Sequence, residues 1–431
     1  MQEEPSASAF LRTFGLLALA TSLAAIFYHF SRQPGLNTCV PEFIGLSLAA
    51  GALYLVGVYL VEKFRFGAAA LLIILVGAVA FRLFLLPLRP SLSGDVYRYR
   101  WEGRVQRRGI NPYTVYPAVP ALAGLQDPAH PLETGTAVST VYPPLSEMAF
   151  RVVETIPAYK RLFTAIDLAN VALLLLILAA LKQPLHRVLV YAWNPTVVVS
   201  FALCGHHDSL AILALLAANL LIIHGRRRLA ISFLALSAIS KFFSVLLLPV
   251  FLRRTRYAYA GIFLAVVALG YLPYLGAGRQ LFQGLSDYAT GWEGNDSLFR
   301  LIRLAGNSKA QAELVAGVLV LALVAYTLKK RMTPLGSSLF LIAGLLLLSP
   351  DAFPWYFTWM IPFLCFYPSV PMLLVSVTCV LGYAPVVAYA AGLPYRDSPF
   401  ILALEYVPVC LWLAYEGWRA IPRGSALGTG G

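Results

Sequence analysis

The stretch SGDVYRYRWEGRVQRRGINPY, Ser93 to Tyr113, sets one carboxylate, Asp95, ahead of five arginines between Arg98 and Arg108. A carboxylate held next to an acceptor hydroxyl can take its proton. Guanidinium forks grip phosphate oxygens in pairs. The spacing from Asp95 to Arg108 predicts a helix. Tyr97, Trp101 and Val105 then share a face, and Arg100, Arg104 and Arg108 form the adjacent stripe. Gly109 and Asn111-Pro112 stop that helix. The chemistry has two readings at this point. Arg98, Arg100 and Arg104 are candidate phosphate ligands beside a base at Asp95; alternatively, an interfacial helix holds membrane lipid headgroups and Asp95 is its N-cap.

Four further stretches carry candidate residues. CGHHDSLAIL (204–213) puts His206, His207 and Asp208 at a helix start. Adjacent histidines point to different faces, and no further ligand stands at metal spacing, so polar contacts to a substrate are expected rather than a metal. Asp208 also suits an N-cap. Lys241 sits alone in apolar SAISKFFSVLLLP, where an ionisable group is costly and a phosphate would be a suitable counter-charge. SPDAFPWYFTWMIP (349–362) offers Asp351 and Trp355, although an aromatic belt explains its rings without any site. VYPPLSEM (141–148) offers Tyr142, and starts a helix on which Glu147 is expected to be solvated.

The elements that must position these residues follow from composition. Of 431 residues, 59% are hydrophobic and 12% charged. Apolar runs long enough to cross a bilayer recur throughout. The fold class is therefore an all-α polytopic membrane protein, read as one integral domain over 1–431. Soluble structure is confined to loops, the largest being 88–161 and 276–310. Expected spans are 13–30, 42–61, 67–87, 162–181, 187–203, 208–223, 258–275, 311–328, 335–349, 355–368, 370–391 and 400–420. Segment 144–157 reads as an interfacial helix. Segment 229–252 reads as a hairpin of two short helices with Lys241 near its tip. The acidic start MQEEPSASAF shows no cleavable signal. The five cysteines are scattered and read as small buried hydrophobes.

The net charge of +13 would suggest nucleic acid in a soluble chain. Here it follows the positive-inside rule and no nucleic-acid partner is expected. With the N-terminus inside, the clusters at 63–65, 182–187, 226–228, 253–256, 329–331 and 419–423 all fall on the cytoplasmic side. The loop 88–161 then faces outward. Its arginines have no topological reason, and an anionic partner at the outer membrane face supplies one.

Taken with YAWNP (191–195), GHHDSL and PDAFPWYFTW, the Asp95–Tyr113 block and Tyr142-Pro143-Pro144 resemble bacterial GT-C superfamily glycosyltransferases, above all the polyprenol-phosphate-mannose-dependent mannosyltransferases. The resemblance runs from about 10 to 420. It implies a bundle of about 11–14 transmembrane or re-entrant helices with a large first extracytoplasmic loop, in the cell membrane of a bacterium. It also implies a polyprenyl-phosphate sugar donor, a lipid-linked or glycan acceptor, and inverting transfer at the extracytoplasmic face. The family's base, an acid of the first large outer loop, maps onto Asp95. Some relatives carry paired acids there; this chain has one, with Glu102 seven residues on, so no metal or other cofactor is expected. Transfer of another sugar, such as arabinose or glucose, and flipping of a lipid-linked sugar are the alternatives.

Overall fold

The computed structural model describes residues 6–420 apart from 128–129, 131 and 133–134. The acidic start and the tail beyond 420, Arg423 included, lie mostly or wholly outside them. The described chain is helical, with no strand beyond isolated bridges. Six helices open it: α1 (Ser6–Ser31), α2 (Val40–Lys63), α3 (Ala68–Leu85), α4 (Asp95–Arg107), α5 (Pro144–Val152) and α6 (Ile156–Ala180).

Among the described residues eight helices are long and apolar enough to cross a membrane: Phe10–Ser31, Val40–Lys63, Ala68–Leu85, Ile156–Ala180, Tyr257–Gly291, Lys309–Lys329, Val370–Tyr389 and Pro399–Arg419. Their outward faces are apolar, with Leu72 63% and Leu314 70% exposed. A surface like that needs lipid against it rather than water. The chain is a multi-pass membrane protein.

Four of the twelve expected spans take another form. Segment 187–203 breaks at Asn194, whose side chain accepts the Thr196 and Val197 amides at 3.0 and 3.3 Å and so starts a new turn at Pro195. The chain then passes through a π-turn, Val199–Leu203. Segment 355–368 is split into Pro354–Trp359 and Ile361–Leu364, because Pro354 and Pro362 each remove a backbone donor. The Asp208–Ile223 and Pro334–Leu348 helices, of 16 and 15 residues, are short of the ~20 that span a bilayer. Broken and short helices are tolerated at membrane depth where other protein buries them, and nearly all of 188–209 is buried.

Segment 229–252 is a hairpin. Arg227–Ala238 rises to Lys241, and Phe242–Leu247 with Leu248–Arg254 returns. Its two basic ends meet, since Tyr259 interacts with both Arg228 and Arg256. Arg253 and Arg254 donate to carbonyls at Leu328, Arg331 and Met332, which brings the 329–331 cluster to the same place. The Asp208–Ile223 helix runs from Asp208 toward Arg226–Arg228. The basic loops at 226–228, 253–256 and 329–331 therefore lie at one end and the Asp208 region at the other.

The loop after α3 folds onto the bundle through α4 and α5. Gly103 makes their approach possible: a Cβ there would stand 2.2 Å from the Phe150 carbonyl oxygen and 2.6 Å from the Tyr159 hydroxyl. α5 is amphipathic, as an interfacial helix should be, but Glu147 is not solvated. It is fully buried. Thr140 donates to it at 2.6 Å and Gln106 at 2.6 Å, while Thr140 also reaches Glu102 at 3.1 Å. Burial, with Glu102 beside it, raises the Glu147 carboxyl well above its ordinary range.

Candidate active site

Four chain segments converge on Asp95. The first is the N-terminus of α4, where Ser93 accepts the Asp95 amide at 3.3 Å. The second is the link 204–208. Gly205 there takes φ +70, a conformation that favours glycine, and turns the chain so that His206, His207 and Asp208 enter the cluster together. The third is the tip of the hairpin, which delivers Lys241. The fourth is the turn 349–359, broken by Pro354, which delivers Asp351, Trp355, Tyr356 and Trp359.

The Asp95 carboxylate lies 3.5 Å from His206 Nδ1, and the Tyr99 hydroxyl approaches the same nitrogen at 3.4 Å. The His206 ring stacks on Trp355, centroids 4.3 Å apart and planes 17° apart. Asp208 accepts from Trp359 Nε1 at 2.7 Å and pairs with Lys241 Nζ at 3.3 Å. The Lys241 ammonium also sits over the Tyr356 ring, 4.9 Å from its centroid, and 5.7 Å from that of Trp359. Such a cage holds a cation while leaving N–H donors unused. Asp351 accepts from Tyr288, which in turn lies 3.1 Å from the Tyr356 hydroxyl. His207 is enclosed by the rings of Tyr99, Tyr142, Phe150 and Phe163.

Several polar atoms here are buried without a hydrogen-bond partner among the described residues: His206 Nε2, both His207 ring nitrogens, Asp208 Oδ2, Asp351 Oδ1 and Trp355 Nε1. Orphaned buried donors and acceptors are costly, and native proteins keep them where something else binds. The cluster is not sealed. Asp95 keeps 35% of its side-chain surface open and Lys241 17%.

The electrostatics suit a base. The dense protein around Asp95 desolvates its carboxylate even though its edge is open, and pushes its pKa up to about 6; the nearby Lys241 cation pulls the other way. Burial lowers His206 to about 3, so it faces Asp95 as neutral imidazole. Burial also raises Asp351 well above the ordinary carboxylate range. Among the described residues no three His, Cys, Asp or Glu side chains form a group able to hold a metal ion.

Eight of the eleven residues singled out in the sequence thus meet in or against one cluster: Asp95, Tyr142, His206, His207, Asp208, Lys241, Asp351 and Trp355. The three arginines do not join them. Arg98 pairs with Glu102 at 2.6 Å and donates to the carbonyls of Gly135 and Val138, both at 2.8 Å. Arg100 pairs with Asp127, and Arg104 donates to the Leu125 carbonyl at 3.0 Å. All three bind the rest of the outer loop to α4. Tyr99 and Tyr288 enter the cluster without a sequence signal. Tyr356 and Trp359 stand in a stretch that an aromatic belt already accounts for.

Residues 14–255 match the MptA_B family model, alpha-(1->6)-mannopyranosyltransferase, N-terminal domain. The chain belongs to this family. It is a membrane glycosyltransferase of the GT-C type, a mannosyltransferase, as the GDVYRYRWEG and VYPPL motifs implied. The matched part contains Asp95, Tyr142, His206–Asp208 and Lys241; the Asp351–Trp359 wall comes from the sequence beyond it. No curated protein and no solved structure gives a match.

Proposed function

We propose that the protein transfers mannose from a polyprenyl-phosphate donor to a hydroxyl of a lipid-linked or glycan acceptor, with Asp95 as the general base. The observation that supports this reading best is the pairing, in one polar cluster, of a half-open carboxylate with a caged ammonium whose charge acts on it. Asp95 takes the proton from the acceptor hydroxyl. The hydroxyl oxygen attacks the anomeric carbon from the face opposite the phosphate, and the bond from that carbon to the phosphate oxygen breaks. The polyprenyl phosphate departs with the bonding pair, and the anomeric configuration inverts.

Negative charge grows on the leaving oxygen as the bond breaks. Lys241 meets it with the N–H donors that Asp208 does not use, in surroundings where such contacts act strongly. This assigns the leaving-group charge to Lys241 rather than to a metal, and makes Arg98, Arg100 and Arg104 braces of the outer loop. His206, Asp208 and Asp351 have unpartnered atoms that suit sugar hydroxyls, and Trp355 offers an indole N–H. By the positive-inside rule the basic end is cytoplasmic, so the cluster faces the extracytoplasmic side of the cell membrane.

The test is transfer of radiolabelled mannose from polyprenyl-phosphate-mannose to extracted lipid and glycan acceptors by the purified protein in lipid. Wild type is expected to transfer and Asp95→Asn to bind donor without transferring. Transfer by Asp95→Asn at the wild-type rate overturns the base. Transfer from a nucleotide sugar but from no lipid-phosphate sugar overturns the donor.

A further inference from the structure

The turn that carries Asp351 is held from outside the cluster. Gly294, in the loop 276–310, pairs with it as an isolated parallel bridge. The Gly294 amide donates to the Pro350 carbonyl at 3.1 Å, and the Ala352 amide donates back to the Gly294 carbonyl at 3.0 Å. The next residue, Asn295, takes φ +51. Side chains seldom adopt that left-handed conformation, and asparagine is one of the few that does so at small cost. A residue kept there is over-determined by its surroundings.

The surroundings are explicit. Asn295 is 1% exposed. Its backbone amide donates to Asp397 Oδ2 at 2.7 Å, and its carbonyl accepts from the Tyr406 hydroxyl at 2.9 Å. Its side-chain NH2 group donates to the Ala352 carbonyl at 2.8 Å and to Glu405 Oε1 at 3.0 Å. Glu405 is fully buried in the Pro399–Arg419 helix. One side chain thus ties the Asp351 turn to a membrane helix, while its backbone keeps Gly294 in register with that turn.

A line of contacts runs on from there to the base. The Phe353 ring lies 3.6 Å from where a Cβ on Gly294 would be. Phe353 stacks on Trp355, centroids 4.8 Å and planes 9° apart, and Trp355 stacks on His206, which faces Asp95. Close-packed rings pass a displacement to one another. Lys241 is held separately: Asp208 pairs with it, and Ser146 donates to the carbonyl of its neighbour Ser240 at 2.8 Å.

We propose that Asn295 is a positioning residue, whose left-handed turn and doubly donating amide fix the Asp351–Trp355 wall beside Asp95. Its effect on substrate rests on the proposed reaction, in which that wall meets the mannosyl group while Lys241 meets the phosphate. Disturbing Asn295 then weakens the hold on the sugar and spares the hold on the phosphate.

The experiment uses the full chain in lipid nanodiscs, labelled with fluorotryptophan, for wild type, Asn295→Asp, Asn295→Gly and Glu405→Gln. The Trp355 fluorine resonance is assigned by its loss in Trp355→Phe. Asn295→Asp tolerates the turn but replaces the donating NH2 by an oxygen, so Ala352 and Glu405 lose their donor. Asn295→Gly keeps the turn and removes the amide. Glu405→Gln keeps an acceptor oxygen for Asn295. The Trp355 resonance should move in both Asn295 variants and stay near its wild-type position in Glu405→Gln. Affinity for polyprenyl-phosphate-mannose should fall about tenfold in Asn295→Asp, with affinity for polyprenyl phosphate little changed. Thermal unfolding shows whether each variant is folded, and Asn295→Gly, which carries no backbone strain, decides the matter if Asn295→Asp is not. A Trp355 resonance that stays in place in a folded Asn295 variant overturns the proposal. Equal loss of affinity for both lipids also overturns it, because a general weakening of the fold would do the same. A moved resonance in a protein whose wild type binds both lipids alike leaves the positioning standing and removes mannose from the wall.

Discussion

Two of the clusters of buried charge in the bundle are built on opposite plans. In one, Arg82 of α3 and Asp167 of α6 are both almost completely buried and paired. The Arg82 guanidinium also donates to the carbonyls of Ala78 and Ala192 at 2.8 and 2.9 Å, and the Tyr191 hydroxyl donates to Asp167 at 2.7 Å. No polar atom of either charged side chain lacks a partner. In the other, His206, His207, Asp208, Asp351 and Trp355 keep unpartnered atoms, and Asp95 and Lys241 remain partly open. Burial of charge alone therefore does not mark a site in this protein. What sets the open cluster apart is unpartnered atoms gathered on several charged and imidazole side chains beside two partly open charges. The closed cluster ties α3, α6 and the broken segment 189–198 together; the open one is where the proposed reaction seats its substrate.

The comparison predicts that equally conservative changes will have different consequences in the two places. Asp95→Asn keeps shape and hydrogen bonding but cannot accept a proton. Loss of a general base costs on the order of 10²–10⁴ in kcat, and the variant should unfold at the wild-type detergent or temperature midpoint. A folded Asp95→Asn that keeps full kcat would place the open cluster in the same class as the closed one.

Asp167→Ala tests the other side. It leaves Arg82 charged and alone in the membrane interior, which costs about 3–5 kcal/mol, read in a graded SDS unfolding series. Replacing both together, Arg82→Met with Asp167→Leu, should restore most of that loss, because an apolar pair of similar volume has no charge to desolvate. Activity should follow stability in this series. If Asp167→Ala is as stable as wild type but inactive, the Arg82–Asp167 pair has a role in the reaction and the contrast fails.

Lys241→Met should lower kcat about 10²–10³-fold, the loss that follows removal of one donor to a developing oxyanion. The caging rings of Tyr356 and Trp359 accept methionine's thioether well, but the buried Asp208 loses its cation, so the variant should also lose stability, and its unfolding midpoint is measured beside kcat. A change confined to KM would make Lys241 a binder of the ground-state phosphate instead.

How much of this was legible in the sequence differs by residue. Lys241 and Asp95 were legible because each departs from its surroundings: a lone cation in an apolar run, a lone carboxylate before a basic helix. The hairpin was legible because only a return of the chain keeps both arginine clusters on one side. The partners of Arg98, Arg100 and Arg104 were not. Helical periodicity says which face a side chain takes; it does not say that the carbonyls of Gly135, Val138 and Leu125 will reach that face. Glu147 fails for the same reason. Its pairing with Glu102 through Thr140 spans 45 residues of sequence, from 102 to 147, and no local pattern encodes it. The breaks at Asn194 and Pro354 were visible as residues, but mean apolarity outweighed them in the reading of spans. Membrane depth tolerates a break only where tertiary packing covers it, and single-segment patterns do not contain that packing.

The smallest predicted effect is also the sharpest link between the two groups that define the open cluster. A base with pKa about 6 in the free enzyme gives a kcat/KM that falls about tenfold per pH unit below 6 and is flat above it, because only the carboxylate accepts the proton. The Lys241 cation favours that carboxylate and holds its pKa below what burial alone would set. Lys241→Met should therefore move the acid limb of its residual activity to higher pH, in addition to lowering the plateau. Donor binding measured over the same range separates this from titration of the donor phosphate, which would move the limb of KM and not that of kcat. A limb that stays in place in Lys241→Met, at whatever height, would mean that the two charges do not act on each other, and that Asp95 and Lys241 are neighbours rather than the two ends of one reaction.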